Sequence, residues 1–315
     1  MLRKERLIME GPRTRLAHLL IGGIFLTIVI FSIIIRILNY YIEFPDLIAL
    51  SKDIDFELLI LGQKNGLIDF YIPVDVPSWM PEWPPYYLYF WYFIFLPMGW
   101  FPLPISLLLW NILSVGLVIF VGIKCYDRFE NLKDFKIFLT IMAIGYLIDC
   151  WYGNSNFLIL LFLYLSYDFL EKNKKWISGI FFTLATFKIN GFLFLPVILL
   201  SKKIKFKDLI YYLIPFTIVC LPYVIFPDFF GQMLYNWGHS DVGIQGLTPL
   251  DSIFWKALQP SHLMYIGFLY LVYFEHLEEG IRKIRIRRFV ITTLITYYAY
   301  TTVIVSILPA FQMWS

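Results

Sequence analysis

Charge is scarce in this chain of 315 residues: 16% are Asp, Glu, Lys or Arg, against 59% hydrophobic and 20% aromatic, at a mean hydropathy of +0.70. Soluble domains carry about 25% charged residues, so an ordinary water-soluble globule is excluded. Cysteine is nearly missing. Cys125, Cys150 and Cys220 are too few and too scattered for a disulfide framework, and no CxxC pair exists to bind zinc or an iron–sulfur cluster. Excess positive charge is missing too: 26 Lys and Arg face 23 Asp and Glu, a net +3, which excludes a strongly basic nucleic-acid binder.

What the chain has is long apolar runs. Residues 17–42 are apolar apart from Arg36 and a polar edge, and follow a leader bearing Arg3, Lys4, Arg6, Arg13 and Arg15. A signal peptide competes for this stretch, but the run exceeds a typical hydrophobic core and no small-x-small cleavage site follows it. It is expected to be a retained helix with residues 1–16 in the cytoplasm. Further apolar stretches lie near 86–98, 104–123, 137–149, 157–170, 177–187, 191–200, 209–226, 262–274 and 289–309. The expected fold is an all-α polytopic membrane protein of about 8–10 transmembrane or re-entrant helices, one integral membrane domain over 1–315.

Sidedness comes from the cationic breaks. Lys172 with Lys174 and Lys175, Lys202 and Lys203 with Lys205 and Lys207, and the run from Arg282 to Arg288 are all expected in the cytoplasm. Between the first two, residues 177–200 must turn back, most simply around Lys188-Ile189-Asn190-Gly191, as a pair of half-helices. Segments 43–85 and 228–261 then fall outside. Parity does not close across 86–170, where four apolar stretches stand for an odd number of crossings, and it marks a segment near 137–156 as re-entrant.

The candidate chemistry follows from these positions. The outer segment 43–85 carries Asp46, Asp53, Asp55, Glu57, Asp69, Asp75 and Glu82 beside Lys52 and Lys64. Asp53 and Asp55 could supply a general base or hold a divalent cation, the one cofactor the chain suggests; a solvated acidic turn reads the same way. Trp151-Tyr152-Gly153-Asn154-Ser155-Asn156 interrupts an apolar stretch with groups that need hydrogen-bond partners, although a turn at a helix end would too. Lys188 sits between two apolar flanks, where a cation is costly and needs a partner such as a lipid phosphate, or else snorkels to the interface. His239, in Asn236-Trp237-Gly238-His239-Ser240-Asp241, is the histidine placed to act as base or ligand, with no second ligand at fixed spacing. His18, His262 and His276 lie at helix ends and read as structural.

The order of these features resembles GT-C superfamily glycosyltransferases. It is closest to the branch that uses polyprenyl-phosphate-mannose. The residues carrying the resemblance are Asp53 and Asp55 after the first helix, Tyr71, Trp83-Pro84-Pro85-Tyr86-Tyr87, Leu96-Pro97, Gly153-Asn154-Ser155-Asn156 and Phe187-Lys188-Ile189. It covers roughly 17–200; beyond that only hydropathy and length agree. Trp83 and Tyr86 stand where Tyr and Leu are usual, Asn154 where Gln is, and Ile189 where Pro is.

The resemblance implies a GT-C-like first extracytoplasmic loop and a hexosyltransferase, most simply for mannose. It would take a polyprenyl-phosphate-linked sugar and an extracytoplasmic lipid or glycan acceptor in the membrane, with no nucleic-acid partner. Asp53 or Asp55 would be the base, with Asp46 a third candidate. Lys188 or Lys256 would pair the departing phosphate, and Asn154, Asn156, Tyr86 and His239 would bind substrate. Two rivals remain at this level. In a transporter or lipid flippase, 177–200 and 153–156 would line a path, though no repeat symmetry is visible. The other rival is a non-catalytic membrane scaffold.

Overall fold

The computed structural model describes residues 11–42, 56, 60, 63, 65–73, 85, 87–126, 128, 132–188, 191–192, 194–200, 204–239, 267–268 and 272. Among these the protein is helical, with no strand, as expected of an all-α membrane protein. The α-helices are α1 (Gly11–Ile42), α2 (Trp91–Gly99), α3 (Leu103–Tyr126), α4 (Leu132–Tyr152), α5 (Asn156–Glu171), α6 (Lys175–Ala185), α7 (Phe194–Leu200), α8 (Ile210–Val219), α9 (Pro222–Ile225) and α10 (Pro227–His239). A 3-10 turn, Phe206–Leu209, precedes α8.

Among the described residues two helices contain apolar stretches long enough to cross a bilayer, Arg15–Ile34 within α1 and Leu103–Tyr126. On α1 the buried residues Ala17, Ile21, Phe25, Val29 and Ser32 recur every three or four positions, one face of a helix. Leu16, Leu19, Leu26, Ile30 and Ile34 are exposed on the same helix. An apolar face of this extent belongs against lipid rather than water. The buried face packs on α3 and α4; Ile21 and Phe25 crowd Gly122, where an added Cβ would lie 3.1 Å from Ile21.

Hydrocarbon provides no hydrophobic drive between helices, so close approach and interhelical hydrogen bonds must hold the bundle. The α5–α6–α8 unit shows both. Ser166 donates to the Ser178 carbonyl at 2.8 Å, and the Ser178 and Tyr212 hydroxyls lie 2.8 Å apart. At Gly179 a Cβ would sit 1.8 Å from the Tyr211 carbonyl oxygen, so only glycine lets α6 and α8 meet there.

The turn between α5 and α6 is closed by Asn173, left-handed at φ 59°. The Lys174 N–H reaches the Phe169 carbonyl and the Asn173 N–H the Leu170 carbonyl, each at 2.9 Å, which is a Schellman ending. The same end of the bundle gathers charge. Arg128, between α3 and α4, binds Asp168 and Glu171 and lies 5.1 Å from the Tyr167 ring; Lys175 binds Asp208 at 2.9 Å.

The stretch marked as re-entrant falls largely on α4, an unbroken 21-residue helix, about 31 Å long and so bilayer length. The short element is α2, whose nine residues rise only about 14 Å, half of what crossing needs. Helix breaks where the turn-back is expected: α6 stops at Ala185, the chain bends at Lys188, and α7 begins at Phe194. Residues 227–239, expected to begin a loop, form a helix with Pro227 at its start and Asp228 in its first turn, both favourable there.

Candidate active site

Three interruptions of helix meet at the end of the bundle opposite the Arg128 cluster: the α4–α5 turn, the α6–α7 turn and the segment leading into α2. The first is built from its backbone outward. Gly153, left-handed at φ 65°, ends α4, and the Asn154 N–H returns to the Asp149 carbonyl at 2.9 Å. Trp110 of α3 donates its indole N–H to the Gly153 carbonyl at 3.1 Å. Asp149, only 1% exposed, accepts the Asn156 N–H on one carboxylate oxygen and the Phe157 N–H on the other, both at 3.3 Å. Those are first-turn donors of α5 that the helix itself cannot satisfy, and a carboxylate there also meets the positive end of the dipole.

Lys188 enters from the α6–α7 turn. Its ammonium donates to Asn154 Oδ1, which also accepts the Ser155 N–H at 2.7 Å. It lies 5.1 Å from the centre of the Tyr87 ring. Lys188 is 8% exposed, so it is buried against Asn154 rather than stretched to the interface. The third interruption is joined to the second by the backbone: the Leu88 N–H donates to the Phe187 carbonyl at 3.2 Å.

Sequence reasoning placed Lys188, Asn154 and Asn156 among the candidates. Lys188 and Asn154 are now in direct contact across 34 residues of chain. Asn156 is fully buried, and neither its amide nitrogen nor its amide oxygen has a hydrogen-bond partner; the Ser155 hydroxyl lacks one too. Such atoms cost about 1–3 kcal/mol each when left unpaired, so the turn carries polar atoms that a bound oxygen-rich group would satisfy.

Asp53, Asp55, Asp46, Tyr86 and Lys256 lie outside the described residues, and so does the side chain of His239. Their neighbours in the chain are informative. Phe56, covalently next to Asp55, is fully buried with its ring centre 5.0 Å from Trp110, the residue that holds Gly153. Phe70 packs on Tyr89, Trp91 and Tyr92, and Gln63 donates to the Tyr92 carbonyl at 3.1 Å. The described residues from 56 to 70 are therefore bound to the bundle beside the site at several points.

A polar latch secures the same segment. The Tyr71 hydroxyl donates to the Tyr87 carbonyl at 2.8 Å and lies 2.7 Å from the Tyr223 hydroxyl, which also accepts the Tyr89 N–H at 2.8 Å. Burial, then the charge and hydrogen bond of Tyr223, hold the Tyr71 phenol well above its ordinary range, so it acts as a neutral hydrogen-bonding group. Asn236 of α10 donates to the Tyr71 and Pro85 carbonyls, both at 2.7 Å. Asp149, Tyr223 and Asn236 were not among the sequence candidates. A lone carboxylate at the end of an otherwise apolar run was the available signal for Asp149.

The sequence model of glycosyltransferase family 87 matches residues 86–277, more than half of the chain. The chain belongs to glycosyltransferase family 87. It is thus a membrane glycosyltransferase of GT-C type, the superfamily the motif order resembled. The family match contains the Gly153–Asn156 turn, Lys188, Tyr223 and Asn236, and reaches well past residue 200, where the resemblance read from motifs ended. It begins after Asp53 and Asp55. No curated protein and no solved structure shows a significant match to the chain.

Proposed function

We propose that this family 87 glycosyltransferase moves a hexose, mannose in the simplest case, from a polyprenyl-phosphate carrier to an extracytoplasmic lipid or glycan acceptor. The observation that carries the reading is the contact of Lys188 with Asn154 at a buried helix break, since an ionisable group inside a membrane bundle marks a functional site. The carrier's tail stays in the bilayer, and its phosphate meets the Lys188 ammonium. Asn154 and Asn156 take hydroxyls of the sugar.

The chemistry asks little of the protein beyond placement and charge. The acceptor oxygen attacks the anomeric carbon, the bond from that carbon to the phosphate oxygen breaks, and the phosphate leaves with the electron pair. Asp53 or Asp55 takes the acceptor proton. Phe56, next to Asp55 in the chain, packs on Trp110 beside the turn, which supports this role.

Sidedness rests on charge. Arg128 ties the α3–α4 connection to the end of α5 that leads into Lys172, Lys174 and Lys175, and the positive-inside rule puts that end in the cytoplasm. The Gly153 and Lys188 turns, at the other end, then face outward in a cell membrane. Family membership favours covalent transfer over the transporter and scaffold readings.

The test is transfer by the full chain in nanodiscs, using radiolabelled polyprenyl-phosphate-mannose and a lipid or oligosaccharide acceptor extract. Wild type should form labelled product, and the Asp53→Asn/Asp55→Asn double variant should form none while still folding. No product from wild type across several donors and acceptors would overturn the donor assignment. Full activity in the double variant would remove the proposed base.

A further inference from the structure

A buried carboxylate in an apolar helix needs a reason. Asp149 sits in the last turn of α4, where the dipole of its own helix disfavours negative charge, and it is 1% exposed. Replacing it with an apolar residue would lift the cost of burying that charge. What it does instead is fix the α4–α5 turn. Its backbone carbonyl takes the Asn154 N–H, and its two carboxylate oxygens take the Asn156 and Phe157 N–H groups. The turn so held leaves Ser155 Oγ and both amide atoms of Asn156 without partners. A conformation with such costs persists only where its surroundings over-determine it, and Asp149 supplies three of the bonds that do so.

The direction in which the turn is held matters for Lys188. Asn154 is gripped through its N–H by Asp149, and its Oδ1 then meets the Lys188 ammonium. We infer that Asp149 is a positioning residue for sugar transfer: it fixes the 153–157 turn so that Asn154 places the Lys188 ammonium for the donor's phosphate and Asn156 stands ready for the sugar. This rests on the proposed function, since it assumes that Lys188 meets a phosphate. A uniform stabilising role would lower the amount of folded enzyme. A positioning role lowers the performance of each folded molecule.

The experiment uses the full chain in nanodiscs and compares wild type, Asp149→Asn and Asp149→Glu. Asparagine keeps the volume but offers one acceptor oxygen in place of two and no charge; glutamate keeps the charge on a longer stem. Two readouts are taken on the folded fraction: Kd for polyprenyl phosphate lacking sugar, and kcat and KM for polyprenyl-phosphate-mannose. Misplacement of a binding group by about 1 Å costs on the order of a hundredfold. Asp149→Asn should therefore weaken polyprenyl phosphate binding at least tenfold and cut kcat/KM ten- to hundredfold, with partial recovery in Asp149→Glu. Wild-type Kd and kcat/KM per folded molecule in Asp149→Asn would overturn the inference. If Asp149→Asn does not fold, Asp149→Glu decides alone: a folded variant with wild-type constants despite the displaced carboxylate overturns the inference, and weakened phosphate binding supports it. Failure of wild type itself to bind polyprenyl phosphate or transfer sugar would instead overturn the donor assignment, and the inference with it.

Discussion

Replacing Lys188 with methionine separates what the site does for the fold from what it does for the reaction. Two of the ammonium's contacts are to described residues. Its hydrogen bond to Asn154 is of the charge-assisted kind, worth about 1.5–3 kcal/mol. Its position over the Tyr87 ring at 5.1 Å adds about 0.5–2 kcal/mol. Against these stands the penalty of keeping a cation buried, several kcal/mol even after relaxation. The opposing contributions are of similar size, and methionine fills much the same volume. Asn154 Oδ1 is not orphaned by the change, because it keeps the Ser155 N–H at 2.7 Å.

Stability of Lys188→Met should consequently stay within about 2 kcal/mol of wild type, and the sign can favour the variant. Catalysis is a different matter. Removing one preorganised group that faces developing charge costs about 10²–10³ in rate, or 2.7–4 kcal/mol. Melting in detergent, read beside transfer of labelled hexose in nanodiscs, measures both quantities on one preparation. A folded Lys188→Met enzyme transferring within threefold of wild type would refute the assignment of Lys188 to the phosphate. A collapse of the fold would refute the argument that the lysine is retained for function rather than stability.

Two further outcomes follow from contacts away from the turn. Tyr223→Phe removes the hydroxyl shared by Tyr71 and the Tyr89 N–H, so melting should report a loss of about 1–3 kcal/mol; an unchanged melting curve would show that the latch holds nothing. Asp208 is held below the usual carboxylate range, first by its hydrogen bond from Lys175 and then by the Lys205 N–H. A depressed folded-state pKa means that its contribution is complete above the unfolded value near about 3.9 and fades as pH falls through the folded value. The stability difference between wild type and Asp208→Asn should thus be flat above roughly pH 5 and vanish in stronger acid, and a difference that persists there would assign it to packing instead.

Much of this was readable before any coordinates. Apolar runs and cationic breaks announced a helical membrane protein, and the lysine between apolar flanks announced the α6–α7 turn. The Gly153–Asn156 string stood out because hydrocarbon does not tolerate unpaired polar groups. What could not be read was partnership. Lys188 and Asn154 are 34 residues apart, and Tyr71 and Tyr223 are 152 apart, so no local pattern links them. Hydropathy also hid lengths: the stretch 86–98 is apolar enough to resemble a span, yet α2 starts only at Trp91 because Tyr87, Leu88 and Tyr89 are drawn into hydrogen bonds with Tyr71, Phe187 and Tyr223. In α10 the start signals Pro227 and Asp228 were present, but the end of the apolar run at 226 and the sidedness argument made the stretch read as a loop.

A helix interior satisfies its own backbone, so a membrane bundle can be polar at low cost only where helices stop. Here α4, α6 and the approach to α2 all stop at one end, and their loose donors and acceptors face one another instead of lipid. Asp149, Asn154, Ser155, Asn156 and Lys188 are the side chains at those stops, bearing opposite charges and three unpaired polar atoms within one turn of chain. A bundle selected for stability alone would fill that space with leucine and phenylalanine, as it does around Phe157 and Phe187. Keeping it polar makes sense for a ligand with an anionic end and a hydroxyl-rich end, the two chemistries that Lys188 and the Asn154–Asn156 turn it touches offer.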